Sequence, residues 1–194
     1  MTDRRSYANR GQEFEGYIRF ANERYKQQKL ACIEKQATEW LPLRNGKGKI
    51  VSAKVEEKAN VDFLGRYKSI PIAIEAKSTF EDSIRFDAVQ PHQADYMDDF
   101  TEAPGTIGLV VVSFNLKNFF VIPWAFWKAA YNARVRPGAK RTAPCSVEAF
   151  GQTWEVPRKF SARMEELNPA WKMPEENVLY GFNYLKDIEK YIIR

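Results

Sequence analysis

The chain has 194 residues, enough to bury a substantial core in one domain. Its 30 Lys and Arg residues outnumber 25 Asp and Glu residues, and the net charge of +5 permits a polyanionic partner without requiring one. No apolar run approaches the roughly 18 residues that span a bilayer, and the polar start lacks a signal-peptide core, so we expect a soluble, cytoplasmic protein without membrane contact.

Cysteine and histidine are scarce. Cys32 and Cys145 lie far apart in the sequence, and His92 is the single histidine. This composition excludes a Cys/His zinc cage and argues against a disulfide framework. Carboxylates are therefore the expected ligands of any metal ion.

The first part of the chain predicts an arm, a helix and a strand. Residues 1–10 are polar and basic, which is typical of a mobile arm. Residues 12–29 show the spacing of an amphipathic helix, and residues 30–40 read as a strand. The apolar positions of the helix are Phe14, Tyr17, Ile18, Ala21 and Tyr25.

Residues 41–59 predict a protruding arm inserted in the domain. The segment contains a Gly/Lys-rich turn and is short of large apolar residues. Such a run of charged residues usually forms a solvent-exposed loop that aids solubility. Cations placed among small residues are also suited to contact DNA phosphates. The cations in question are Arg44, Lys47, Lys49, Lys54 and Lys58.

Two short strands around a turn are predicted next, with Gly65 and Pro71 as the residues that mark the turn. Because side chains on a strand alternate between two faces, Glu75 and Lys77 share a face and should meet Asp62 across the hairpin. Two carboxylates suit Mg²⁺, with Mn²⁺ as the alternative, because these ions take one or two carboxylates and keep waters and phosphate oxygens. The lysine would orient a water or offset negative charge. The set predicts a metal-dependent phosphodiester-cleaving centre.

A charged cross-strand cluster on a solvated face is the alternative, and such pairs contribute only about 0.2–1 kcal/mol. The apolar neighbours of the carboxylates, Val61, Phe63 and the run 72–74, favour the functional interpretation. Acidic side chains are rarely placed in buried strands without a charge partner or a metal.

The second half of the chain alternates helices and strands. A helix opens in residues 88–97 with Pro91 in its first turn, and residues 107–114 form a near-continuous apolar strand. Residues 118–123 pair with that strand, residues 124–131 turn into a helix, and residues 184–193 resemble a short amphipathic helix. The predicted class is α/β, a central mixed β-sheet flanked by helices in a single domain, 1–194.

Several motifs occur in the order found in one nuclease family. They are Asn9-Arg10-Gly11 with Glu15, Asp62-Phe63-x-Gly65-x-Tyr67-Lys68, Ile74-Glu75-Ala76-Lys77-Ser78-Thr79, and His92-Gln93-x-x-x-Met97. On these residues the chain resembles RecU-type Holliday-junction resolvases, members of the PD-(D/E)XK nuclease superfamily. The resemblance spans roughly residues 9–125 and leaves the C-terminal third uncovered.

The resemblance implies a restriction-endonuclease-like fold with a stalk and a Mg²⁺-dependent homodimer. Such a dimer cuts four-way DNA junctions symmetrically and would act at the nucleoid. Residues 41–59 occupy the place of the stalk. Carried over by motif, Asp62 and Glu75 become metal ligands and Lys77 the catalytic lysine.

The resemblance extends to the surroundings of the site. Glu15 matches a first-helix glutamate that completes such metal sites, although Glu13 is an equally good candidate by position. Gln93 matches a glutamine near the scissile phosphate, against the alternative of an ordinary surface residue. Arg10 is a candidate phosphate contact, against the alternative of a disordered tail. Ala73 departs from the pattern, because an acidic residue often stands there.

Two other functions remain open at this stage. Another PD-(D/E)XK nuclease, of restriction or repair type, would cut linear duplex DNA. A non-catalytic DNA-binding module would keep the fold without cutting, and the intact acidic pair and lysine argue against it.

Overall fold

The structure is a computed structural model that describes residues 4–134, 145–179 and 181–191. The helices are α1 (Arg4–Gln27), α2 (Pro91–Glu102), α3 (Trp124–Ala133) and α4 (Glu175–Leu179). The strands are β1 (Ala31–Lys35), β2 (Glu39–Arg44), β3 (Ile50–Glu57), β4 (Phe63–Tyr67), β5 (Ile70–Thr79), β6 (Ser83–Arg85), β7 (Ile107–Phe114), β8 (Asn118–Pro123), β9 (Cys145–Ala149), β10 (Gln152–Val156) and β11 (Ser161–Arg163). Short 3-10 turns occupy Phe86–Ala88, Met164–Glu166, Pro169–Trp171 and Ile188–Tyr191.

A mixed five-stranded sheet forms the centre of the molecule. Its strand order is β1-β4-β5-β7-β8. The neighbours β5 and β7 are parallel, and the other pairs are antiparallel. The parallel pair needs a crossover, which β6 and α2 supply. The predicted class, α/β with a central mixed sheet flanked by helices, is confirmed.

The two faces of this sheet carry different helices. Glu75 lies beside Val110, which lies beside Ile122, so these three side chains share one face. Phe119 is an odd number of residues from Ile122 and points to the other face, where its ring stacks on Phe14 of α1 with centroids 5.8 Å apart. The helix α1 therefore covers the face opposite the Glu75 carboxylate.

The segment predicted as an arm is a hairpin of β2 and β3, which pair only with each other. Its loop is held by Asn45, whose Oδ1 accepts from the backbone N–H groups of Lys47 and Lys49, both at 3.0 Å. Every residue of β2 is exposed. The expectation that the arm is short of large apolar residues is corrected, because the hairpin exposes Trp40, Leu41, Leu43, Ile50 and Val51.

Three local predictions are corrected. The first helix begins at Arg4 rather than at residue 12, and the strand predicted for 30–40 is broken between Lys35 and Glu39. Gly65 is not a turn residue but lies inside β4, where a Cβ would come within 2.1 Å of the Cys32 carbonyl oxygen of β1. The turn between β4 and β5 instead uses Lys68, at φ +53°.

None of the described helices combines the length and apolarity needed to cross a membrane.

The described residues within 167–191, here called the C-terminal strap, lie across α1 and β8. The Met173 N–H donates to the Phe119 carbonyl at 2.8 Å, beside the outer edge of β8. The Tyr184 hydroxyl donates to Asn22 of α1 at 2.5 Å. The helix predicted for 184–193 is instead turns ending in the 3-10 turn at Ile188, and its last residues lie outside the described part of the chain. The hairpin β9–β10 had no counterpart in the predictions.

Candidate active site

The strands β4 and β5 bring two carboxylates together. Phe63 faces Ile74 across the antiparallel ladder, so Asp62, one residue before β4, falls opposite Glu75. The Asp62 N–H donates to Glu75 Oε2 at 3.3 Å, and the Ala76 N–H donates to Asp62 Oδ2 at 2.8 Å. The predicted meeting of the two acids across the hairpin is present in the structure.

The Glu75 carboxylate is fully buried, which is unusual for an acidic residue. The pKa of Glu75 is raised to about 8, first by burial and then by the nearby Asp62 carboxylate, while Lys77 acts in the opposite direction. A buried acid beside a second acid disfavours its own negative charge. Such a pair fits a positively charged partner, whether an ammonium group or a metal ion.

Lys77 supplies part of that positive charge. Its Nζ lies 2.6 Å from Glu75 Oε1, and its side chain is only 18% exposed. Glu75 and Lys77 lie two residues apart on β5 and therefore on one face. The ammonium is held at the carboxylate by strand geometry rather than by a flexible surface contact.

Gln93 completes the cluster from α2. Its Nε2 donates to Glu75 Oε1 at 2.6 Å, and its Oε1 accepts from Lys77 Nζ at 3.3 Å. The same Oε1 also accepts from the Gln90 backbone N–H at 2.9 Å, at the start of the helix. Because the oxygen already faces two donors, the amide NH₂ is left facing the carboxylate.

Gln90 is a residue that the sequence analysis missed. Its backbone N–H donates to the side chain of Gln93, the third residue of α2, at 2.9 Å. The available signal was the glutamine three residues before another glutamine, with Pro91 at the first helical position. The helix cap and the buried carboxylate thus share one side chain.

The donor set fits a hard divalent cation. Asp62 and Glu75 offer adjacent carboxylates, and Mg²⁺ is usually held by one or two carboxylates with waters and phosphate oxygens in its other positions. Within residues 4–134, 145–179 and 181–191, no three His, Cys, Asp or Glu side chains are grouped as a metal site. The protein would therefore provide two carboxylates and leave several positions for water and substrate.

Glu15 is placed away from this pair. Its carboxylate forms an ion pair with Lys35 at the end of β1. The geometry follows from the sheet, because Lys35 faces Phe63, which faces Ile74, and these side chains share the face covered by α1. Glu13, the other candidate, accepts a hydrogen bond from Tyr17 at 3.3 Å. Ala73 is fully buried on β5.

The candidate phosphate contacts lie on the hairpin and at its base. Five of these cations are exposed along the hairpin or directly after it, namely Arg44, Lys47, Lys49, Lys54 and Lys58. The Arg44 guanidinium donates to the Gly48 carbonyl at 2.9 Å and so stiffens the loop. The side chain of Arg10 lies outside the part of the chain whose side chains are described.

The sequence comparisons agree on one family. The family described as RecU, Recombination protein U, matches residues 9–166. A Holliday junction resolvase RecU from Streptococcus mutans is 30% identical over 127 residues, which is 61% of this chain and 63% of that protein. A Holliday junction resolvase RecU from Streptococcus pneumoniae is 27% identical over 129 residues, which is 63% of this chain and 65% of that protein. Among solved structures, Archaeoglobus fulgidus Hjc, a Holliday junction resolvase, matches at a TM-score of 0.35 and 11% identity over 62% of this chain and 82% of its own.

The matched region contains the whole cluster around Glu75 and the exposed hairpin, and it ends before the C-terminal strap. The match covers somewhat less than two thirds of the length of these curated relatives. Because the matched residues make up most of the sequence, the chain belongs to the RecU family of recombination proteins.

Proposed function

We propose that the chain is a divalent-metal-dependent endonuclease that resolves four-way DNA junctions. The observation that carries the proposal is the buried Glu75 carboxylate, which contacts Lys77 and Gln93 at 2.6 Å and lies beside Asp62. Membership of the RecU family supports a junction-resolving nuclease, since its curated relatives are named Holliday junction resolvases. A buried acid whose pKa is raised and that has a specific charge partner is a candidate functional residue.

The residues of the cluster have separate proposed roles. Asp62 and Glu75 would hold Mg²⁺ or Mn²⁺. Glu15 is a third candidate, but its carboxylate would have to leave Lys35 and reach past the edge of the sheet, because α1 covers the opposite face. The ion, when bound, would polarise the scissile phosphate and make a water a better nucleophile. Lys77 would orient that water and offset the negative charge that develops on the phosphate. Gln93 would keep the Glu75 carboxylate in the orientation that binding requires.

The exposed hairpin fits the proposed substrate. Its cations project from the central sheet on a separate two-stranded element, so they would contact phosphates beyond the reach of the cluster. Residues 41–59 are thus proposed as a stalk inserted in a single nuclease domain. Resolution requires two coordinated cuts, so we propose a homodimer with one cluster per protomer, acting in the cytoplasm at the nucleoid.

One cleavage assay tests this function. The protein is incubated with a mobile four-way junction and with a linear duplex of the same sequence, each with Mg²⁺ and with EDTA. We expect paired, symmetric nicks in the junction with Mg²⁺ alone. A strong preference for the duplex would contradict junction resolution and favour a restriction-type or repair-type nuclease. Junction binding without metal-stimulated cutting would indicate a non-catalytic binding module.

A further inference from the structure

A polar cavity of about 200 Å³ opens beside the cluster, between α2 and the base of the hairpin. Its lining includes half-buried Leu64 and Tyr96 as apolar surface. Polar side chains surround these two, namely Gln36, Glu39, Lys58 and Asn60. None of these residues belongs to the proposed cutting centre. The cavity therefore needs a separate explanation.

The cavity adjoins the cluster through two different elements. Asn60 lies two residues before Asp62, and the Gln36 N–H donates to the Asp62 carbonyl at 2.8 Å. Leu64 lies two residues after Asp62 and faces Ala73, which puts it on the Glu75 face of the sheet.

The second connection runs along α2. Tyr96 follows Gln93 by three residues, and side chains at this spacing are neighbours on a helix, with Cβ atoms about 5–6 Å apart. A phosphate at the cluster would thus have its neighbouring nucleotide at the mouth of the cavity.

The chemistry of the lining suits a nucleobase. Tyr96 offers a ring for stacking, and its own position is braced by Phe100, with ring centroids 6.1 Å apart and an interplanar angle of 23°. The amides of Asn60 and Gln36 can pair with the donor and acceptor edge of adenine, and Glu39 can accept from an exocyclic amine. Lys58 adds a cation for the attached phosphate.

We propose that this cavity receives the nucleobase next to the scissile phosphate and favours bases with an exocyclic amine, adenine, cytosine and guanine, over thymine, which has none. The proposal rests on the proposed function, because it assumes DNA at the cluster. It assigns a cleavage-site preference to residues outside the cutting centre. The stalk would recognise the branch, and the cavity would select the position of the cut along it.

The preference is tested with junctions in which each of the four bases occupies the positions flanking the cut. We expect the wild-type protein to cut sites flanked by adenine, cytosine or guanine about tenfold faster than sites flanked by thymine. Asn60→Ala and Gln36→Ala should flatten this distribution while cutting continues. Phe20→Leu, which changes an exposed aromatic residue of α1, is the matched control and should keep the wild-type distribution. An unchanged distribution in both cavity variants would overturn the proposal.

A binding cycle tests stacking without cutting. In an Asp62→Asn background with EDTA, an abasic site at the flanking position should weaken junction binding about tenfold. With Tyr96→Leu added, the abasic site should weaken junction binding less than twofold, because the ring that contacts the base is gone. Equal losses with and without Tyr96 would contradict the proposal. A protein that binds junctions but cuts none would refute the proposed enzyme while leaving this cycle measurable.

Discussion

The Gln93 side-chain amide donates to the Glu75 carboxylate across 2.6 Å and thereby joins the first turn of α2 to the middle of β5. The orientation of that amide is set by the backbone of Gln90 at the helix cap. The Gln93 side chain therefore contacts both the start of α2 and the buried Glu75 carboxylate. Substitutions at Gln93 and at Gln90 can separate the effect on the carboxylate from the effect on the helix end.

Gln93→Ala should lower the cleavage rate by about 10–100-fold, which is the usual cost of losing a hydrogen-bond partner of a metal ligand. The measurement is single-turnover junction cleavage over a range of Mg²⁺ concentrations. We expect a raised Mg²⁺ requirement, because Glu75 loses its fixed orientation.

Gln90→Ala is the matched control for Gln93. It removes an exposed side chain at the helix N-cap but keeps the backbone N–H that holds Gln93. We expect stability within about 0.5 kcal/mol of wild type and near-normal cleavage. If both variants lost cleavage equally, the effect would come from the helix end rather than from the Glu75 contact.

Asp62→Asn and Glu75→Gln should each reduce cleavage by about 100-fold or more, because a metal ion contributes several kcal/mol to such reactions. Junction affinity, measured by gel shift in EDTA, should stay within about threefold, since the phosphate contacts on the hairpin are untouched. Wild-type cutting by either variant would show that the site has been misassigned.

Mg²⁺ should raise the melting temperature of the wild-type protein, because a ligand that binds only the folded state stabilises it, by about 2.7 kcal/mol at 100 times its Kd. The shift should vanish in Asp62→Asn. The control is Asp99→Asn, which changes an exposed carboxylate on α2 and should keep the shift. A shift of equal size in Asp62→Asn would place the ion elsewhere.

Replacing residues 41–54 by Asn-Gly should leave the central sheet folded, since Trp40 and Val55 are partners across the hairpin and a two-residue turn can join them. The deletion removes Arg44, Lys47, Lys49 and Lys54. The slope of log affinity against log salt should fall by up to about 3.6, at about 0.9 for each lost phosphate contact. Unchanged junction affinity and an unchanged slope would argue against a DNA-binding stalk.

Gly65→Ala should destabilise the protein by about 3 kcal/mol or more, because the added Cβ would meet the β1 backbone, which cannot move aside easily. Gly16→Ala, in the middle of α1 with nothing within 4 Å of the new atom, should instead stabilise by about 0.5–1 kcal/mol. Urea unfolding of the two variants gives the comparison. Similar effects of the two substitutions would mean that β1 does not approach β4 this closely.

Local patterns in the sequence determined much of the fold. Alternation along β5 placed Glu75 and Lys77 on one face, the apolar run of β7 marked a strand buried on both sides, and Pro91 marked the start of α2. These features depend on periodicity within one element. The sequence therefore sufficed to predict the central sheet and the pairing of Asp62 with Glu75.

Only the tertiary structure decided which distant groups meet. Glu15 is paired with Lys35 because α1 covers the face of the sheet opposite Glu75, and no local pattern reveals which face a helix covers. Gly65 predicts a turn by its residue type, but its role in the structure depends on the close approach of β1. Likewise, the C-terminal strap and the cavity beside Asp62 are formed by segments far apart in the chain. Periodicity fixes the direction of a side chain within its own element, whereas its neighbours depend on how separate elements pack.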